Sequence, residues 1–301
     1  MPRVALVCQR DGTDLFTDGP LLFSALEGVG VEAQAVPWGS ATDWASFDAV
    51  VVRTTWDYVE RFEEFFAWAR SVEATGVPLA NPVEVLAWNA DKRYLRDLEM
   101  AGAPIVATRW LDPGDDPIAA VAAIPWDEFV VKPAVSAGSR MTARYAAGEH
   151  AAAVAHLRRI VATGGAAMVQ PHIATVDEVG ENGTYVFGGR VSHVISKGAV
   201  LKPGAAPVQD NSLAETQEAA PAAVTAELGA FASDVLARLP FADPVLYARV
   251  DTVRVDEGAL ALLELELFEP FLFLEISPGA AENYAAALVS WLERTPEASA
   301  R

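Results

Sequence analysis

One cysteine in 301 residues leaves this chain no intramolecular disulfide and no cysteine-based zinc cluster. That residue, Cys8, sits in the apolar run RVALVCQ over 3–9, where a thiol packs as a small hydrophobe rather than acting as a nucleophile. Histidine is also scarce, at four residues, and neither a Ser-His-Asp nor a Cys-His set can be assembled from the order of residues. His193 in particular has no partner in its own stretch and stays unassigned. Basic residues are outnumbered, 22 against 41 acidic, giving a net charge of −19 and a pI near 4.5. That balance excludes a nucleic-acid or anionic-membrane partner, which requires a basic face, but leaves room for a local basic pocket that takes phosphate. No apolar run approaches the roughly 18 residues needed to cross a bilayer, and the run in MPRVALVCQRDG is too short for a signal peptide, so a cytoplasmic location is expected. No GxGxxG follows the first strand, which disfavours a Rossmann-type dehydrogenase, and there is no Walker pattern, internal repeat or low-complexity tract. What remains is a chain that is 52% hydrophobic, with a mean hydropathy of +0.21, long enough for two or three cores.

The first 82 residues alternate strands and helices. Apolar runs at 3–9 and 48–53 predict buried strands, 31–37 predicts a further strand, and 18–29 and the amphipathic 60–74 predict helices. Such alternation implies an α/β domain with a parallel sheet covered on both faces, whose ligands bind beyond the carboxyl ends of its strands. Arg53, Thr54, Thr55, Trp56 and Asp57 fall at that edge, and an arginine with two hydroxyls suits a substrate carboxylate. The plainer alternative is an ordinary loop in which Asp57 caps the next helix. One or two helices are expected over 83–101, a strand over 105–110, and a hinge at LDPGDDP. The strand in FVVKP then ends at Lys132 and is followed by a small-residue loop with Ser136, Gly138, Ser139 and Arg140, a combination of charge and free N–H groups that suits phosphate. A helix over 148–163, a strand over 166–170, a hairpin turning at Gly188-Gly189, a mobile loop over 198–220 and a helix over 221–239 come next. A strand in FLFLEIS, a turn at Ser277-Pro278-Gly279 and a helix close the chain.

Between them lies YARVDTVRVDEGALALLELELFEP, residues 247–270, which reads as a hairpin turning at Asp256-Glu257-Gly258. With a two-residue loop Asp251 falls opposite Glu264 and Arg249 opposite Glu266, while Leu263, Leu265 and Leu267 line the other face; a three-residue loop would break that register. Opposed carboxylates weaken a strand pair. Either this face is simply wet, or a hard cation such as Mg²⁺ gathers Asp251, Glu264 and Glu266.

The order of these markers resembles the ATP-grasp ligases, in their glutathione-synthetase-like branch, over essentially the whole chain. Asp91-Lys92 in NADKRYL and Lys132 in FVVKP resemble the two phosphate-binding lysines, and 134–140 the loop that covers the phosphates. VQPHI resembles the strand that holds adenine, placing Gln170, Pro171 and His172 at the base and Glu178 at the ribose. ARVD and ELELFEP match the family's arginine and metal-ligand pattern, although Glu266 stands where an asparagine is usual and the phosphate loop is poorer in glycine. Any one of these matches is common; five in order are specific. The resemblance implies an ATP-grasp fold of three parts: an N-terminal α/β substrate domain over 1–82, a central ATP-binding lobe over 83–170 and a C-terminal catalytic lobe with antiparallel sheet over 171–301. It also implies ATP and Mg²⁺ as cofactors, catalytic roles for Arg249 and Lys132, a small amino-acid-like substrate, and a homodimer as in many relatives. VVRTTWDY, GGRVSH and ELELFEP narrow the likeness to the cycloserine-synthetase type, ATP-dependent cyclo-ligases of O-ureido-serine. An intermolecular amino-acid ligase and a non-catalytic nucleotide-binding module on the same fold are the alternatives.

Overall fold

Three sheets organise the chain, each built on a different burial pattern. The computed structural model describes residues 1–12, 15–210, 217–255 and 258–295. The first sheet holds β1 (Arg3–Cys8), β2 (Glu32–Pro37), β3 (Ala49–Thr54) and β4 (Leu79–Ala80) in the order β2-β1-β3-β4, all pairs parallel. β3 is buried along its whole length, as the continuous apolar run predicts. Val4, Leu6 and Cys8 face α1 (Asp18–Gly28) and a helix from the far end of the chain, whereas Ala5 and Val7 face α2 (Phe62–Glu73) through Phe65, Phe66, Ala69 and Val72.

After α3 (Val83–Asn89) and α4 (Tyr94–Met100), a second, antiparallel sheet places β5 (Arg109–Leu111), β6 (Glu128–Pro133), β7 (Ala143–Ala146) and β8 (Ala167–Pro171) in the order β5-β8-β6-β7. Its core is closed by α5 (Pro117–Ala122) and α6 (His150–Val161). Following α7 (Ala174–Val179), the third sheet runs β11-β10-β9-β12-β13, antiparallel throughout, from β9 (Glu181–Phe187), β10 (Arg190–Lys197), β11 (Ala219–Ala222), β12 (Tyr247–Arg254) and β13 (Leu260–Glu266). α8 (Ala226–Leu236) and α9 (Ala280–Arg294) complete the chain, α9 being the helix that returns to the first sheet.

Three expectations are corrected. The expected 221–239 helix begins only after Thr225, whose hydroxyl accepts from the Leu228 N–H, because residues 219–222 instead extend the edge of β10 as β11. The expected strand in FLFLEIS does not form; the N–H groups of Leu272 and Leu274 donate to the carboxylate of Asp18 at 2.7 and 2.8 Å, and a short 3-10 turn follows over Leu274–Ile276. The 105–110 strand shrinks to β5, with Ile105 making an isolated bridge to Leu262.

The outer edge of β13 is finished by the backbone of Pro104 and Val106 at Leu262 and by side chains farther along, which leaves no open template there. Asn89 in α3 donates to the Leu265 carbonyl at 2.8 Å and accepts from the Leu267 N–H at 2.7 Å, and the Tyr94 hydroxyl accepts from the Leu265 N–H at 2.8 Å. Asn81 ties the first sheet to the same region. Its amide donates to the carbonyls of Tyr247 (3.1 Å) and Leu267 (2.7 Å), and its carbonyl accepts from the Leu246 N–H (2.8 Å).

Candidate active site

The β12–β13 hairpin sets the site. Arg249 pairs with Glu266 and Asp251 with Glu264, the predicted partners, but by another route. The Val255 N–H donates to the Ala259 carbonyl, so three residues separate the paired ends; the turn residues Asp256 and Glu257 lie outside the described residues. An odd loop would swing both glutamates to the wrong face. The register shifts between Asp251 and Thr252, which pairs with Leu262, so Leu263 is the extra residue of a bulge that restores the parity. As a result Leu263, expected on the face away from the glutamates, lines the same cavity as Glu264 and Glu266.

That cavity, about 640 Å³, lies where the three parts of the chain meet. Its cations and carboxylates form one network. The guanidinium of Arg249 donates to both oxygens of Asp251 (2.8 and 3.0 Å) and to Glu266. Lys197 bridges Asp251 at 2.9 Å and Glu181 at 2.7 Å. Lys92 pairs with Glu264 at 3.0 Å and donates to the Ser136 carbonyl at 2.8 Å. Burial alone would raise the acids, yet Arg249 and Lys197 hold Asp251 below the usual carboxylate range, and Lys92 with Lys132 does the same for Glu264. At Glu266, burial and the repulsion of Glu264 and Asp251 outweigh Arg249, and its pKa is pushed up to about 7. Glycine at 183, opposite Asp251 on β9, makes this packing possible: a Cβ there would stand 3.1 Å from the Asp251 Oδ1 and 3.3 Å from the Arg249 Cδ.

Lys132 is unlike the other cations. Burial lowers its pKa, Glu264 only partly compensating, and its ammonium has no hydrogen-bond or ion-pair partner among the described residues while it lines the cavity. Ser136, Gly138 and Ser139 line it too. Gly138 and Ser139 both adopt positive φ, 62° and 60°, a turn that glycine takes freely. The far end of this loop is tied down by Arg140, which donates to the Gln209 carbonyl at 2.9 Å and pairs with Glu60. Gln170, Pro171 and His172 form one wall with the apolar side chains of Val130, Ile173, Val253 and Leu263, a slot suited to a flat base.

Other expected residues lie elsewhere. Glu178 is exposed on α7 and is not part of the cavity wall, whereas its neighbours Asp177 and Glu181 are. Of the RTTWD segment only Trp56 reaches the cavity. Arg53 is 2% exposed, donates to the Pro270 carbonyl at 2.7 Å and lies over the rings of Tyr247 and Tyr284; it braces a seam between two parts of the chain instead of meeting a ligand. The Thr54 and Thr55 hydroxyls are buried without hydrogen bonds among the described residues, and Asp57 accepts from the Arg10 N–H and the Trp38 indole. Among the cavity residues given no role in the sequence are Lys197, visible only as the last residue of a hairpin, and Glu269, three residues past Glu266. His193 stacks on Tyr185 with its Nε2 at the Leu272 carbonyl, and has a packing role.

No three metal-ligating side chains converge into a ready cage among the described residues. The donor types nonetheless fit Mg²⁺, which commonly takes one or two carboxylates and fills its remaining positions with phosphate oxygens and water. Glu264 and Glu266 face the cavity and Asp251 stands directly behind Lys197 and Arg249.

Comparison with known proteins places this arrangement. The model of the N-terminal domain of D-cycloserine synthetase DcsG matches residues 4–81. The cycloserine biosynthesis protein DcsG of Streptomyces lavendulae is 37% identical over 302 residues, covering 97% of this chain and 100% of that protein. The crystal structure of D-cycloserine synthetase DcsG, 34% identical, superposes with a TM-score of 0.87 over 96% of this chain and 99% of that one. D-alanine–D-alanine ligase from Bacillus anthracis, solved with ATP, shares the fold at a TM-score of 0.70 and 14% identity over 98% of both chains. With more than a third of its residues identical to DcsG over nearly the full length of both chains, the protein belongs to the D-cycloserine synthetase family of ATP-grasp ligases.

Proposed function

We propose that this chain activates the carboxylate of O-ureido-serine with ATP and closes it into the cycloserine ring. The observation that carries the proposal is the convergence of Lys92, Lys132, Lys197 and Arg249 on one cavity with the Glu264 and Glu266 carboxylates, and with Asp251 bound behind Lys197 and Arg249. Three of these cations are paired with carboxylates, and Lys132 stands without a partner among the described residues; with Mg²⁺ on the carboxylates, the set suits a polyanionic ligand in a protein whose net charge is −19. Lys92, Lys132 and the 136–139 loop would hold the phosphates of ATP, and Gln170 to His172 with the apolar slot its base. Glu264, Glu266 and Asp251 would hold Mg²⁺, which screens phosphate charge when bound. The substrate carboxylate attacks the γ-phosphorus, ADP leaves, and an acyl phosphate forms. Arg249 faces the charge that develops on the transferred group. The oxyamine nitrogen of the same molecule then attacks the acyl carbon, loses its proton and expels phosphate, which closes a five-membered ring. Up to this point the product is the substrate less one water, with the carbamoyl group still on the ring nitrogen. Adding one water removes that group as carbamic acid, which decomposes to carbon dioxide and ammonia, and leaves cycloserine. The chain's residues position and screen, and no side-chain nucleophile is needed.

The test is ADP release with Mg-ATP and O-ureido-serine as the sole amino acid, with products read by mass spectrometry. ADP accompanied by the carbamoylated ring, or by cycloserine and ammonia, is expected. Release that needs a second amine would replace cyclisation by intermolecular ligation. No release above background with this substrate would end the cycloserine reading.

A further inference from the structure

The RTTWD segment contributes one wall residue to the cavity, yet both its large side chains reach across to the same short stretch. Trp56 donates its indole N–H to the Glu269 carbonyl at 3.0 Å, and Arg53 donates to the next carbonyl, that of Pro270, at 2.7 Å. Glu269, fixed in this way, is 8% exposed, lines the cavity and has an Oε2 with no hydrogen-bond partner among the described residues. An unpaired buried carboxyl oxygen costs free energy and calls for a donor. The walls beside it are aromatic: Trp56 lies 5.0 Å from the ring of Phe16 and 6.2 Å from that of Phe271, and all three line the cavity. The remaining wall carries Lys92, Lys197 and Arg249, each paired with carboxylates among Glu181, Asp251, Glu264 and Glu266, and Lys132, whose ammonium has no partner among the described residues. A zwitterionic amino acid entering such a cavity is turned one way: its carboxylate is drawn to the cations, and its ammonium group is repelled from them toward a carboxyl among ring faces.

We propose that Glu269 receives the α-ammonium group of the amino-acid substrate, with Arg53 and Trp56 as the residues that position it. This rests on the substrate being an amino acid, as in the proposed function. It assigns to the RTTWD segment a role it performs at one remove.

The test is calorimetric binding to protein loaded with Mg²⁺ and a non-hydrolysable ATP analogue, using O-ureido-serine and 3-(ureidooxy)propanoate, which lacks only the amine. Wild type is expected to prefer the amine-bearing ligand at least tenfold. Glu269→Gln should abolish that preference with nucleotide affinity unchanged, and Glu269→Asp should retain part of it. Trp56→Phe, which keeps the ring and removes the N–H, should reduce the preference. Equal binding of the two ligands by wild type, or a preference that survives in Glu269→Gln, overturns the ammonium assignment alone. Failure of wild type to bind either ligand overturns the proposed function, and this assignment with it. If Glu269→Gln does not fold, loss of the preference in Trp56→Phe supports the assignment and its full retention there refutes it.

Discussion

Asp251→Asn separates a catalytic carboxylate from a structural one, because the structure shows what each partner keeps. Asp251 is 2% exposed and bonded to two cations, so its removal would ordinarily be severe: deleting one member of a buried ion pair costs about 3–5 kcal/mol when the other is left bare. Neither partner is left bare here. Lys197 keeps Glu181 at 2.7 Å, and Arg249 keeps Glu266. The asparagine is isosteric and retains one oxygen toward the guanidinium. The expected loss is therefore below about 2 kcal/mol, read as the shift in the urea midpoint at constant slope. ADP release should nevertheless fall by about 10²-fold or more, the scale for removing one group that stabilises transition-state charge. A stability loss above about 3 kcal/mol would refute the reasoning from redundant partners. ADP release within about threefold of wild type would remove Asp251 from the chemistry.

Four further outcomes follow from single contacts. Lys132→Ala should weaken ATP binding by about 10- to 100-fold without loss of stability, since a cavity-lining ammonium with no partner among the described residues is removed; unchanged affinity by calorimetry would exclude it from the phosphate site. Gly183→Ala places a methyl group against Asp251 and Arg249 and should cost about 1–3 kcal/mol and most of the turnover, so a fully active variant would contradict the close packing. Asn81→Asp sets an oxygen against the carbonyls of Tyr247 and Leu267, with an expected cost of about 2–6 kcal/mol for two lost donors; a midpoint within experimental error of wild type would rule out that bridge. His156 and His193, both lowered to about 4 by burial, are protonated more readily in the unfolded chain. Their contribution is thus complete above about pH 6.5 and is lost as pH falls toward 4, by roughly 2 kcal/mol each, and His193→Gln should flatten that part of the stability profile.

The parts legible in the sequence are those where local pattern and global fold agree. Continuous apolar runs announced the parallel sheet, because only a strand buried on both faces, such as β3, can carry consecutive apolar residues as at 49–52. The lysine of FVVKP was readable because a charge closing an apolar strand has little structural reason to be there. Lys197 ends the hairpin strand β10 in the same way but carried no independent signal, because it gains meaning only through contact with Asp251, 54 residues away. Glu178, Glu181 and Asp177 could not be ranked from sequence, since the choice depends on how the short helix α7 turns against the third sheet.

RTTWD and the acidic hairpin expose the deeper limit. The arginine at the end of β3 sits where ligands of open α/β sheets commonly bind, and the inference failed because a segment 217 residues later, Glu269-Pro270, covers that edge and takes its hydrogen bond. A side chain's chemistry was read correctly, but its partner was a backbone carbonyl that no spacing could reveal. In the hairpin the paired residues were right and the connection was wrong. A three-residue separation and a one-residue bulge each invert the side-chain parity, and together they cancel. Parity counted from a turn is therefore a weak warrant by itself. The pairing is supported independently by charge, since Glu266 opposite Arg249 completes an ion pair that a leucine there would not. The bulge adds something a regular ladder cannot: it leaves Leu263 unpaired at the cavity wall while Glu264, the next residue, still pairs with Asp251, so consecutive residues of one strand line one pocket.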